Sequence, residues 1–300
     1  MRHNAYSPGS SAFMPGGVRE SCVMIGEARR SCGAVRVLVL AIIALWAPLS
    51  HATFDHGHPA WDALLKKHVL VSSNGVASTV RYAGMQADRA QLQRYLESLS
   101  GVTPAEYRQW TAPEQLAFLI NAYNAFTIEL ILTRYPDIGS IKDLGSLVQS
   151  PWQKKFFQLL GASRSLDDVE HGMIRAPDTF DDPRIHFAVV CASKGCPMLR
   201  NEAFTAARLE FQLDDSIRRF MSDRSRNRYD AATGTLMASR IFDWYRKDFS
   251  LGHKGFTSLN EVFAHQAELL TDSREAQERI RGGNLKLVFL PYDWALNDAR

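Results

Sequence analysis

One helical segment constrains this chain more than any other. Residues 113–134, PEQLAFLINAYNAFTIELILTR, are apolar nearly all round, the pattern of a helix buried in the middle of a fold. Two amides interrupt it. Asn121 and Asn124 are three residues apart and share a face, and a buried amide without partners costs roughly 1–3 kcal/mol, so each must be held by something specific. Two roles are open to them: fastening neighbouring backbone, or shaping a site.

Around that helix, apolar residues recur at spacings of three and four over 59–71, 88–99, 205–221, 240–249, 258–270 and 275–281, which predicts helices. Ser165-Leu166-Asp167-Asp168 has the form of a capping box, so a further short helix is expected to begin at Leu166 and carry Glu170 and His171. Strands are expected at 79–82, 185–191 and 285–290, with a hairpin over 228–237 turning at Thr233-Gly234. Helices outnumber scattered strands, which predicts an α+β fold: one predominantly helical domain around a small sheet.

The N-terminal region points to export. A basic stretch containing Arg29, Arg30 and Arg36 precedes the uncharged run 37–47, which is too short to span a bilayer and is broken at Pro48. Ser50 and Ala52 then occupy the positions a signal peptidase reads, so residues 1–52 are expected to be a signal peptide, with a start at Met24 giving it ordinary length, and 53–300 the mature domain. The net charge of +3 leaves with that leader, because it removes five arginines (Arg2, Arg19, Arg29, Arg30, Arg36) against Glu20 and Glu27. The mature part is formally neutral, which argues against nucleic acid as a partner and leaves a small molecule, a peptide or an envelope component. No membrane span is expected after leader cleavage, and the expected location is periplasmic or secreted.

Cys22 and Cys32 leave with the leader, so Cys191 and Cys196 remain, with four residues between them, in an oxidising compartment. That spacing and that compartment predict a disulfide. The block HFAVVCASKGCPMLR also holds His186, and SLDDVEHGMIR holds Glu170 and His171 one helical turn before Arg175. If 185–191 is a strand, His186 and Cys191 point to opposite faces, which leaves Cys196 on its loop as the thiol able to meet a histidine. The combination permits a cysteine-dependent hydrolase or transferase acting on an amide or ester: Cys196 the nucleophile, His171 or His186 the base, and Glu170, Asn121 or Asn124 orienting the ring. The alternatives are a non-catalytic envelope-binding module stapled by Cys191–Cys196, and a metal site of His171, His186 and the two thiolates, which a disulfide would preclude. No metal and no cofactor is expected. Glycine-rich phosphate loops, HExxH and GxSxG are absent from the sequence. Residues 240–249 read as core, with Phe242, Tyr245 and Phe249 in a stripe and Asp243 spaced to pair with Lys247; Asp55-His56-Gly57-His58 reads as a ragged N-terminus.

Five ordered segments carry a family resemblance: QLAFLINAYNAFTIELIL, SLDDVEHGMIR, HFAVVCASKGCPMLR, SRIFDWYRKDF and YDWALN. Together they resemble the domain of unknown function 547 family across almost the whole mature chain. The resemblance implies no activity. It brings a distant analogy to papain-like or transglutaminase-like folds, from which this chain departs because its central helix offers Asn121 and Asn124 and no cysteine.

Cleavage after Ala52 predicts that the protein, expressed with its leader in a bacterial host, is recovered soluble from the periplasm or medium. N-terminal sequencing should then read Thr53 at or near its start. A full-length product that requires detergent would contradict this reading.

Overall fold

A computed structural model describes residues 53–283 and 285–299. The expected signal peptide, 1–52, lies outside the described residues. At the centre is the helix Ala112–Leu132. Pro113 suits its first turn, where a missing amide hydrogen costs nothing, and Glu114 Oε2 accepts from both Thr111 N and Thr111 Oγ1 at 2.8 Å, which fixes the start. Every residue from Leu116 to Leu132 is buried except Glu129, which meets Arg89 Nη2 at 2.6 Å. This is the one described helix long and apolar enough to cross a membrane, and 89% of its most apolar window is covered by the protein itself.

The helices Pro59–His68 and Arg89–Gly101 pack around it, and its apolar cluster runs from Trp61 to Leu213, with Leu296 added from the C-terminal tail. A second cluster gathers Phe220, Phe242, Phe249 and Phe263, together with Phe187, around Leu209–Ser222 and Leu259–His265. Strands are few and short. Val69–Val71 pairs antiparallel with Ser78–Val80, and Phe157–Leu159 pairs antiparallel with Ala162–Arg164. Thr235–Ala238 lies between Arg228–Asp230, antiparallel, and Lys286–Phe289, parallel with Thr235 opposite Lys286. The fold is α+β, with helices and not an extended sheet as its frame.

Three local expectations need correction. Residues 185–191 are not a strand: Pro183–Phe187 is a 3-10 turn opened by Asp182, whose Oδ1 accepts from Arg184 N at 3.0 Å, and the rest is irregular. Short buried apolar runs have this ambiguity, because burial on all sides erases the period. The predicted helix 240–249 stops at Trp244 and resumes as the turn Asp248–Ser250. Asp243 pairs with Arg240 at 3.1 Å and not with Lys247. Nor are residues 55–58 ragged: His58 is buried, its Nδ1 2.7 Å from Tyr95 Oη, and burial pushes its imidazole down to about 4.

The two central amides fasten backbone. Asn124 Nδ2 donates to Ala188 O at 2.9 Å while its Oδ1 accepts from Val190 N at 2.9 Å. Asn121 does the same for Phe204, donating to its O at 2.7 Å and accepting from its N at 3.0 Å. Each side chain thus stands in for a β neighbour, satisfying backbone that no strand reaches. Replacing Asn124 by Leu leaves Ala188 O and Val190 N unpaired in the core, so Asn124→Leu is expected to lower unfolding stability by about 1–3 kcal/mol in urea denaturation, with the m-value unchanged. A neutral result would contradict the fastening.

A candidate active site at the cysteine loop

Asn124 holds the chain immediately before Cys191, and the C-terminal tail holds it immediately after. Lys194 N donates to Ala295 O at 2.8 Å, Gly195 N to Asp293 O at 2.8 Å, and Asn297 N to Ala192 O at 3.0 Å. The approach is so close that a Cβ on Gly195 would lie 2.9 Å from Asp293 O, so glycine is required there. The segments HFAVVCASKGCPMLR and YDWALN therefore fold as one unit.

Beside this unit opens a cleft of about 220 Å³, lined by residues of both apolar clusters. Four of the six residues expected at a catalytic site line it: Glu170, His171, His186 and Cys196, joined by Cys191. Asn121 and Asn124 do not line it, and with both ends of each amide spent on backbone they orient no histidine. The two sulfurs stand at disulfide distance, with Cα atoms 6.2 Å apart. Cys191 N lies 2.8 Å from Cys196 Sγ, and Tyr292 Oη lies 3.2 Å from the same sulfur.

His186 is the most constrained group here. Its side chain is fully buried, its ring stacks on Tyr245 with centroids 3.7 Å apart, and its Nε2 lies 2.8 Å from Asp248 Oδ2. Its Nδ1 is buried and has no hydrogen-bond partner. Arg175 grips the same carboxylate through Nε at 2.7 Å and Nη2 at 3.1 Å. Burial alone would raise the Asp248 carboxyl, yet the hydrogen bonds from His186 and Arg175 hold it well below the usual range. Burial likewise dominates at His186 and lowers its pKa, with Asp248 working the other way. An ionised Asp248 accepting from Nε2–H leaves Nδ1 as the lone-pair nitrogen of a neutral imidazole, the state a general base requires.

The capping box at Ser165 forms as expected, with Ser165 N 2.8 Å from Asp168 Oδ2 and Asp168 N 3.1 Å from Ser165 Oγ. The helix Leu166–Val169 then widens into a π turn over Glu170–Ile174, a distortion frequent at functional sites. Glu170 is turned inward to accept from Tyr245 Oη at 2.7 Å, and His171 stays half-exposed with Nδ1 2.5 Å from Arg175 Nη1. His171 is thus tied to Arg175, which leaves His186 as the ring paired with a carboxylate through a full hydrogen bond. Among the described residues no group of three or more His, Cys, Asp and Glu side chains is arranged to hold a metal ion.

Sequence reasoning gave no site role to Asp248, Tyr245, Tyr292 or the tryptophans Trp152, Trp244 and Trp294, and noted Arg175 only as one turn beyond His171. Asp248 stands beside the apolar stripe; Phe242 and Phe249 are buried in the core, and Tyr245 packs partly buried against the same cluster. An acid beside an aromatic stripe was the available signal.

Residues 107–221 match the family model described as "Protein of unknown function, DUF547", which supports the resemblance carried by the motifs. No curated protein and no solved structure matches the chain.

The Cys191–Cys196 pairing predicts that protein produced from Thr53 to Arg300, titrated in denaturant straight after purification, gives no free thiol before reduction and two after it. Two free thiols in unreduced protein would contradict the pairing.

Proposed function

We propose that this DUF547 chain is an exported, periplasmic or secreted enzyme that transfers acyl groups through a thiol, acting on an amide or ester, and that the Cys191–Cys196 disulfide is its oxidised resting form. The observation that carries this reading is the meeting, in one cleft, of both sulfurs with a buried histidine that has Asp248 on one nitrogen and nothing on the other. Asp248, and not Glu170, Asn121 or Asn124, takes the orienting role.

Two-electron reduction by an external dithiol opens the disulfide. His186 Nδ1 then takes the Cys196 proton; the amide of Cys191 and the Tyr292 hydroxyl, both beside Cys196 Sγ, favour the thiolate. The thiolate attacks the carbonyl carbon, and the leaving amine or alcohol departs with the proton from the His186 imidazolium. The thioester that remains is released by water or by a second nucleophile, whose proton returns through His186.

A second reading, a non-catalytic envelope-binding module, draws on the same disulfide, which in that case is only a local staple for the loop. Mass spectrometry after incubation with p-nitrophenyl acetate separates the two. Under the enzyme reading, dithiol-reduced protein gains one acetyl group on Cys196, oxidised protein and Cys196→Ala gain none, and His186→Ala slows acylation by about 10²–10⁴-fold. Acetylation that ignores Cys196, or none in reduced protein, would overturn the enzyme reading and leave the module.

A further inference from the structure

The walls of the cleft carry more chemistry than thiol transfer uses. Six aromatic side chains line it: Tyr123, Trp152, Trp244, Tyr245, Tyr292 and Trp294. The indoles form a connected set, with Trp244 and Trp294 stacked at 5.6 Å and Trp152 edge-on to Trp294 at 5.9 Å. Trp244 is 46% exposed, unusual for an indole. The lining charges are of one sign: Asp167 and Glu170 are present, and no lysine or arginine is among the described lining residues.

Inside the cleft the basic group near the carboxylates is His171, 3.7 Å from Asp167 Oδ1 and 3.9 Å from Glu170 Oε1, hydrogen-bonded to neither. Arg175, behind the cleft, makes its ion pair with Asp248 and reaches Glu170 only through space, without a hydrogen bond. Glu170 is buried and accepts from the Tyr245 phenol, a neutral donor. Asp167 has His171 Nε2 at 3.7 Å, beyond a hydrogen bond, and burial raises its pKa, the mark of a charge short of compensation. That the aromatic set accepts a cation is already visible in the protein: Lys142 Nζ sits 3.7 Å from the centroid of Trp294, although Lys142 does not itself line the cleft. The buried His186 Nδ1, without a hydrogen-bond partner, belongs to the same lining and places the reacting centre beside these walls.

We propose that the cleft recognises a substrate bearing a primary ammonium group, which the tryptophan walls face and Asp167 and Glu170 neutralise. Ring faces attract a cation through their quadrupole, and a fixed carboxylate pair in a partly desolvated cleft adds to that attraction while rejecting anions. The cleft is sized for one side chain or a comparable group, so the ammonium is that of a lysine-like or other aminoalkyl chain next to the bond acted on. This specificity rests on the cleft being the substrate site of the reading above.

Binding to the oxidised, full mature protein tests it without any turnover, because the disulfide keeps Cys196 inert. The probes are Nα-acetyl-lysine methylamide and its Nε-acetylated counterpart, followed by tryptophan fluorescence and calorimetry. The free amine should bind at least about 10-fold more tightly. Asp167→Asn should erase most of that preference, and Trp244→Leu should weaken the free amine selectively, both with the wild-type melting temperature to within a few degrees. Equal affinity, tighter binding of the acetylated probe, or no saturation by either below about 10 mM would overturn the proposal. Such a failure would leave the p-nitrophenyl acetate acylation standing, and loss of acylation with retained amine preference would do the reverse.

Discussion

The double hydrogen bond of Asn124 is the interaction on which the rest of this structure depends. It lies in the middle of a helix that is otherwise apolar and buried, where an unpaired amide could not be tolerated, and it clamps Ala188 and Val190 from both sides of one residue. Fixed there, the chain places His186 a few residues upstream and the cysteine loop immediately downstream, on opposite sides of the same anchor. Asn121 anchors Phe204 in the same manner, so the segment between carries its cysteines suspended between two points of the central helix. The C-terminal tail closes the unit by pairing with residues 192–195. A site assembled from distant parts of the chain is thereby held without any sheet larger than three strands among the described residues.

Much of this was legible from residue patterns. The all-round apolarity of 116–132, the requirement that Asn121 and Asn124 be paired, and the capping box at Ser165 all follow from local rules, and the structure follows them. Glu170, His171, His186 and Cys196 crowd two short segments of the sequence and line one cleft, the arrangement the enzyme alternative requires. What was not legible has a common cause. A strand and a 3-10 turn look alike in a run such as IHFAVV, where every position is buried and side-chain amides supply backbone partners. The strand assignment then set His186 and Cys191 on opposite faces, a constraint that dissolves once the segment turns at Pro183.

Asp248 was obscured for a related reason. Helical spacing extends through 240–249, but the backbone helix ends at Trp244, and beyond it Tyr245 and Asp248 meet His186. Beyond the helix end, Tyr245 stacks on the His186 ring and Asp248 accepts from Arg175, contacts that no local pattern announces. The aromatic lining has the same character, since its tryptophans lie far apart in sequence and meet only because the tail returns to the cysteine loop.

The electrostatics of His186 join fold to function. Two groups of opposite preference meet there: a carboxylate held ionised by two donors, and an imidazole kept neutral by burial. Nitrogen-15 NMR of the His186 ring in the oxidised protein tests this most directly. The account predicts a neutral ring at pH 7, protonated on Nε2 and bare on Nδ1, that stays neutral as the pH falls below the ordinary histidine value of about 6.5. An imidazolium at neutral pH, or a neutral ring with its proton on Nδ1, would contradict it.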